Sequence, residues 1–255
     1  MEQHTDSERS ASPAPEIDAA DAEFSFAFQP IADLETAEVI GHEALVRGAA
    51  GESASEVLGS IASSSRHCFD EACRHRALDM ASRLAMDGAL HINCSTIVPE
   101  RLESTLASTR EAAEEFGIDP THIVLEFSRL EPLGSPRELD RAREAANRAG
   151  FAVLADNFGA SELGMKRLVV FQPQWLKLDR NLVQRIHCSE RRQALVSGLL
   201  ATCRMLNIGV IAGGIEEPEE LEWLQDAGVR YAQGYLLGRP TFESVPSFDP
   251  DRLAV

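Results

Sequence analysis

The chain has 255 residues, of which 44% are hydrophobic, and its formal net charge is −17 at pH 7. The length and apolar content are enough for one large α/β domain, whereas so acidic a chain repels nucleic acid, which argues against a DNA-binding role. No uncharged apolar run approaches the roughly 18 residues of a membrane helix, and the N-terminus lacks the apolar core of a signal peptide, so we expect a cytoplasmic protein without a membrane anchor.

The predicted elements alternate between short apolar strands and longer helices. Residues 1–23 are rich in Ser, Ala, Pro and acidic side chains and predict a disordered tail. A barrel domain is predicted over residues 24–240, followed by a C-terminal tail over residues 241–255. The predicted strands are Phe24–Phe28, Glu38–Ala44, Ala89–Asn93, Ile123–Glu126, Phe151–Ala155, Trp175–Leu178, Ile208–Ala212 and Val229–Ala232. They are aliphatic or β-branched with little alternation, which is typical of strands buried on both faces.

The helices between these strands have recognisable start and stop signals. A capping box with Pro136 at the first helical position begins at Ser135, and Gly150 ends that helix. Another helix begins at Glu217, and a single long helix is predicted over Asn181–Leu206. Repeated strand–helix units predict parallel strands with right-handed crossovers. Eight such strands predict a closed TIM-type (β/α)8 barrel.

Polar residues stand at the predicted carboxyl ends of the strands, where barrel active sites form. They are Glu43, Asn93, Glu126, Asp156 with Asn157, Lys177 with Asp179, Gly213 and Gln233. Carboxylate and amide oxygens suit a hard cation such as Mg²⁺ or Mn²⁺, and an ammonium suits a phosphate or an attacking water. Contact with solvent also explains polar strand ends, so spacing alone leaves a metal or phosphate site and plain solvation as equal alternatives.

Several motifs in order resemble those of the EAL family of cyclic di-GMP phosphodiesterases. They are Phe28-Gln29-Pro30-Ile31, His42-Glu43-Ala44-Leu45-Val46-Arg47, Ile92-Asn93-Cys94-Ser95, Leu125-Glu126, Asp156-Asn157-Phe158-Gly159, Lys177-Leu178-Asp179 and Gln233-Gly234-Tyr235-Leu236. The resemblance runs from Phe24 to Pro240. It implies a modified TIM barrel with one antiparallel strand, in which active members cleave cyclic di-GMP to the linear dinucleotide pGpG with two Mg²⁺ or Mn²⁺ ions.

The resemblance also implies a role for each matching residue. The first metal ion would be held by Glu43, Asn93, Glu126 and Asp156. Lys177 and Asp179 would orient the water, and Glu216 and Gln233 would support the site. Gln29 and Arg47, with Lys177 and Gln233, would hold the nucleotide. All of these residues are present.

The chain departs from the family pattern at the second metal site. Asn157 replaces the second of two paired aspartates, and Gly213 replaces a glutamate that binds the second ion in active relatives. The loop Ala160–Gly164 lacks the usual Gly and Tyr, and Arg129 stands where an acidic residue is usual. Two-metal hydrolysis needs both ions to activate water and neutralise phosphate charge. The chain therefore resembles a degenerate member with one remaining Mg²⁺ or Mn²⁺ site.

Three interpretations remain open at this point. The first is a non-hydrolytic cyclic di-GMP receptor. The second is a regulatory module that binds a protein partner and no nucleotide, and the third is a slow metal-dependent phosphodiesterase. The retained ligands are also explained by inheritance, because the same side chains can stabilise strand ends. The resemblance allows a homodimer, since family members often pair near the altered loop.

Overall fold

The computed structural model describes residues 17–95, 98–128, 135–159 and 165–253. Eight strands close into a barrel in the order β2-β3-β4-β5-β6-β7-β8-β1, and β1 pairs back onto β2. They are β1 (Phe24–Asp33), β2 (Glu38–Gly48), β3 (Ala89–Asn93), β4 (Ile123–Phe127), β5 (Ala152–Phe158), β6 (Trp175–Leu178), β7 (Gly209–Ala212) and β8 (Tyr231–Ala232). The predicted TIM-type α/β barrel is confirmed.

Strand β1 runs antiparallel to both of its barrel neighbours, while β2 to β8 run parallel to one another. A short turn joins β1 to β2, so the chain reverses direction without a crossover helix. The pairing sets Gln29 directly opposite Glu43. The expected antiparallel strand is therefore confirmed, and it brings a predicted ligand residue beside a predicted metal ligand.

The helices pack around the barrel as a surrounding layer. They are α1 (Ala54–Ser60), α2 (Arg66–Arg83), α3 (Leu102–Glu115), α4 (Pro136–Arg148), α5 (Met165–Phe171), α6 (Arg180–Val183), α7 (Glu190–Met205) and α8 (Pro218–Asp226). The capping box predicted at Ser135 is present, with its hydroxyl accepting from the Glu138 backbone N–H at 3.2 Å. No helix in the described ranges is long and apolar enough to cross a bilayer.

The single helix predicted over Asn181–Leu206 is wrong. The chain instead forms α6, a 3-10 turn at Ile186–Cys188, and then α7. Arg185 adopts a left-handed conformation with φ of 55°, which ends α6, and the Ser189 hydroxyl caps α7 by accepting from the Arg192 backbone N–H at 3.4 Å. The break buries Ile186 completely beneath the helices.

Part of each predicted tail, residues 1–23 and residues 241–255, packs against the barrel domain. The backbone of Ile17 pairs with that of Ile61, and a 3-10 turn follows at Ala19–Asp21. Beyond residue 240, strand β9 (Thr241–Phe242) pairs with β1, and Leu253 is buried. Residues 1–16 lie outside the described ranges.

The inside of the barrel is closed by an apolar layer. Ile31, Val124, Leu154 and Ile211 form one buried cluster there. Three of them stand two positions before Glu126, Asp156 and Gly213, and side chains two apart on a strand share a face. The polar strand ends therefore lie directly above this layer, so water reaches them only from the carboxyl-terminal side.

Candidate functional site

The centre of the site is an ammonium surrounded by carboxylates. Lys177 Nζ lies 2.8 Å from both carboxylate oxygens of Glu126, 3.1 Å from Glu43 Oε2 and 3.9 Å from Asp156 Oδ1. None of these four side chains is more than 10% exposed. We call these four residues the Lys177 cluster. It brings together three of the four predicted metal ligands and one predicted catalytic residue.

Burial and mutual charge perturb each group in the Lys177 cluster. Burial, reinforced by the Glu43 charge, raises the pKa of Glu126. Burial likewise raises the pKa of Asp156 to about 7. Burial opposes the charged forms of Lys177 and Glu43 as well, but their mutual attraction outweighs it, so the pKa of Lys177 is raised and that of Glu43 lowered. Three carboxylates thus share one ammonium, and the cluster retains affinity for a further proton or cation.

Amide side chains border the Lys177 cluster. Gln233 Nε2 donates to Glu43 Oε2 at 2.7 Å and lies 3.3 Å from Gln29 Oε1. Gln29 Nε2 in turn donates to the Gly238 carbonyl at 2.9 Å. Asn93 Nδ2 lies 3.5 Å from Glu43 Oε1, so its amide faces the cluster. The predicted site residues Gln29, Asn93 and Gln233 therefore surround Glu43 and fix its carboxylate.

His91 is a member of the site that the sequence analysis missed. Its Nδ1 lies 3.0 Å from Glu126 Oε1, and the residue is 2% exposed. Burial and the nearby Lys177 charge lower its pKa to about 3, so the ring is neutral, and its Nδ1 shares a hydrogen bond with the Glu126 carboxyl group. His91 and Asn93 stand two apart on β3 and share the inward face. That spacing could have identified His91 from the sequence.

Neither Asn157 nor Gly213 offers a negatively charged oxygen that could bind a metal ion. Asn157 has a φ of 55° and donates its amide N–H to Asp156 Oδ2 at 2.6 Å. Gly213 sits where a Cβ atom would lie 2.8 Å from the Leu178 carbonyl oxygen and 3.3 Å from Lys177 Cγ. The backbone at Gly213 is therefore too close to β6 to accept a side chain without a shift.

Other predicted site residues have partners outside the Lys177 cluster. Asp179 caps α6 by accepting from the Asn181 backbone N–H at 2.8 Å. Glu216 pairs with Arg180 at 2.9 Å. Arg47 is half-buried and donates to the Val46 carbonyl at 2.8 Å. The altered loop Ala160–Gly164 and the substituted Arg129 lie outside the described residues.

The sequence pattern of the EAL domain matches residues 15–240. This chain belongs to the EAL domain family. Among solved structures, a standalone versatile EAL protein from Vibrio cholerae O395, in its c-di-GMP-bound form, superimposes with a TM-score of 0.85. It is 36% identical, over 91% of this chain and 98% of that one. The Klebsiella pneumoniae BlrP1 complex with calcium and cyclic di-GMP superimposes with a TM-score of 0.82 and 30% identity, over 92% of this chain and 60% of that one.

Curated relatives of this EAL-domain chain differ in their named roles. The blue light- and temperature-regulated antirepressor BluF of Escherichia coli K12 is 28% identical over 87% of this chain and 55% of BluF. The probable cyclic di-GMP phosphodiesterase PdeN of the same organism is 27% identical over 86% of this chain and 43% of PdeN. The chain thus spans about half the length of these relatives.

The oxygen donors of this EAL-domain site are of the type that hard dications prefer. Carboxylate and amide oxygens are the ligands that Mg²⁺ and Mn²⁺ prefer, and Glu43, Asn93, Glu126 and Asp156 supply them. The Lys177 ammonium takes the point where the carboxylates converge. Among the described residues, no three acidic, His or Cys side chains form an open cage for a metal ion.

Proposed function

We propose that this chain binds cyclic di-GMP at the carboxyl-terminal end of its barrel and does not hydrolyse it at a useful rate. One observation carries the proposal. Asn157 donates an N–H where a carboxylate would accept a metal, and Gly213 leaves no room for the missing glutamate. Phosphodiester hydrolysis by two metals needs both ions to activate the water and neutralise the phosphate. Without the second ion, Lys177, Asp179 and Glu216 are insufficient.

Retained polar groups support binding. The V. cholerae and K. pneumoniae relatives are both described with cyclic di-GMP bound. Gln29, Gln233 and Lys177 are in place in this chain, and Arg47 follows Glu43 by four residues on β2, on the same strand face. A guanidinium is well suited to a phosphodiester because it donates in a planar fork.

An open groove of about 790 Å³ is lined by residues that follow Gln233 in the chain and by Glu216. Tyr235 and Arg239 line it, with the guanidinium carbon 4.6 Å from the centre of the tyrosine ring. An aromatic ring and a guanidinium plane are surfaces on which a base can stack. The groove therefore offers space and stacking partners for a guanine next to the polar centre.

One Mg²⁺ or Mn²⁺, when bound, would be held by Glu43, Asn93, Glu126 and Asp156 and would neutralise charge on the phosphate. The chain's own residues position the carboxylates. Lys177 holds Glu126 and Glu43 in place and favours the ionised form of Glu43, and Gln233 orients Glu43. We expect binding to depend on these groups and on Arg47 more than on the metal.

A protein-interaction module that binds no nucleotide is the second candidate. The observation that favours it is the similarity to BluF, which is named as an antirepressor. Here the retained polar centre would serve stability alone, and a protein partner would contact another surface. A homodimer remains compatible with both proposals.

Calorimetric titration with cyclic di-GMP, in EDTA and in Mg²⁺, separates the two candidates. We expect binding in both buffers. Arg47→Ala should weaken it by about 1.5–3 kcal/mol, because hydrogen bonds to a charged group are lost. Arg204→Ala, on the exposed face of α7, is the control and should bind like the wild type. Chromatography of the same samples should recover intact nucleotide.

Three outcomes would contradict the proposal in different ways. Metal-dependent turnover that Glu43→Ala abolishes would show an active phosphodiesterase. Unchanged affinity in Arg47→Ala would remove this mode of binding. No binding by a folded wild type would leave the interaction module as the better candidate.

A further inference from the structure

The chain continues beyond the region that matches the EAL domain, and this continuation folds back onto the barrel. The match ends at residue 240. After it come β9, which pairs with β1, and a 3-10 turn at Pro250–Leu253. Leu253 is buried in the main hydrophobic core. The turn is therefore anchored to the domain, and its neighbouring side chains hold defined positions.

Arg252 is the residue of this turn that reaches the groove beside Tyr235. Its Nη1 donates to the Leu236 carbonyl at 3.1 Å, and Leu236 lies in the loop that follows β8. Its Nε lies 3.6 Å from Asp249 Oδ2. The side chain is 53% exposed and lines the groove together with Tyr235 and Arg239. The guanidinium is thus tethered to the loop and is still accessible to a ligand in the groove.

The polar groups of the groove are complementary to a guanine base. Guanine presents two acceptors, N7 and O6, on one edge, and a guanidinium can donate to both at once through its planar fork. Adenine presents N7 and an amino donor on the same edge, and a guanidinium cannot accept from that donor. Tyr235 supplies a ring on which the base can stack. Glu217 and Asp251 also line the groove, and their carboxylates can accept from the amino group on the opposite edge of guanine.

We infer that Arg252 is a specificity-determining residue, which donates to O6 and N7 of a guanine and so favours cyclic di-GMP over cyclic di-AMP. The inference rests on the proposed binding of cyclic di-GMP and extends it to a residue outside the region that matches the family. Both nucleotides carry the same phosphate charges, so attraction to a cation raises the affinity for each equally. Contact with the base is what distinguishes them, and a charge without the guanidinium fork does not replace that contact.

Calorimetric titrations of the full chain with cyclic di-GMP and with cyclic di-AMP test this inference. Arg252→Ala should weaken binding of cyclic di-GMP by about tenfold or more, which is the usual cost of losing one bidentate contact with a base. It should weaken binding of cyclic di-AMP much less, because only the attraction of an exposed charge is lost. Arg252→Lys should keep the affinity for cyclic di-AMP and lose most of the preference for cyclic di-GMP, because an ammonium is a point charge and not a fork.

Arg110→Ala is the matched control, because Arg110 on α3 is 51% exposed and is not among the residues that line the groove. It should bind both nucleotides like the wild type.

An equal loss of affinity for both nucleotides in Arg252→Ala would show that Arg252 only supports the loop or supplies charge, and would overturn the inference. So would affinity for cyclic di-GMP in Arg252→Lys equal to that of the wild type, a result that decides the question even where cyclic di-AMP binds too weakly to measure. In both cases the wild type still binds cyclic di-GMP, so the proposed function stands. A folded wild type that binds neither nucleotide would contradict the proposed function and this inference together.

Discussion

The polar residues at the carboxyl-terminal end of the barrel fall into two groups. The groups differ in how strongly their side chains depend on one another for stability. On β2, β4 and β6, Glu43, Glu126 and Lys177 form a buried network in which each group needs the others. On the side of β5 and β7, the Asn157 amide bonds only its neighbour Asp156, and Gly213 contributes no side chain. Removing one partner of a buried ion pair is strongly destabilising, whereas a partly exposed ligand can be lost at little cost. Retention of the first half therefore follows from stability alone, and its presence is not by itself a sign of catalysis.

The largest effect should come from Lys177→Met. The substitution leaves Glu126 and Glu43 buried without their cation, and it should lower the free energy of unfolding by about 3–5 kcal/mol. Urea denaturation in EDTA measures this. Lys166→Met removes an exposed lysine and should change stability by less than about 0.5 kcal/mol. If Lys177→Met lowers the free energy of unfolding by no more than an ordinary surface substitution does, the network does not stabilise this half of the site.

An intermediate effect is expected on the other side, from Gly213→Ala. The added Cβ would meet the Leu178 carbonyl oxygen at 2.8 Å, and such overpacking costs about 1–3 kcal/mol. Asn157→Asp adds no volume and keeps the left-handed conformation, so it tests charge rather than packing, because it replaces the donor to Asp156 Oδ2 with an acceptor. Equal stability of Gly213→Ala and wild type in urea would show that position 213 has room for a side chain.

The last effect concerns the dependence of stability on pH. The pKa of Asp156 is about 7 in the folded chain against 3.8 ordinarily. Between these values the folded state binds more protons than the unfolded state, so this group makes stability fall as pH rises through the window. Asp156→Asn removes the titration, and the plot of stability against pH should become flatter between pH 5 and 7. A slope unchanged in Asp156→Asn would show that another group is responsible.

The sequence predicted the barrel well because its strands are continuous apolar runs bounded by turns. It also placed the carboxylates together correctly, since Glu43, Glu126 and Asp156 lie on the parallel strands β2, β4 and β5 of one barrel. The break at Arg185 was missed because no Gly or Pro stands near it to mark a helix end and a tertiary contact decides the conformation. There the Arg185 backbone N–H donates to Glu220 Oε1 at 2.6 Å, across 35 positions of sequence.

The site was harder to predict where partners come from distant elements. Glu216 pairs with Arg180, and Asp179 caps α6, and neither contact can be read from strand spacing. Lys177 at the convergence of the carboxylates is likewise a product of barrel closure. His91 is different, because its position two residues before Asn93 already placed it on the inward face.

The bond between Gln29 and Gln233 joins residues 204 positions apart. Strand β1, which leaves the ribosome early, has to wait for β8 before the ring of strands can close. Contacts so remote in sequence form late, because the entropy of closing a long loop must be overcome first. The carboxyl-terminal end of the barrel is thus completed only when nearly the whole domain has been synthesised, and a chain interrupted before Gln233 lacks the amide that orients Glu43.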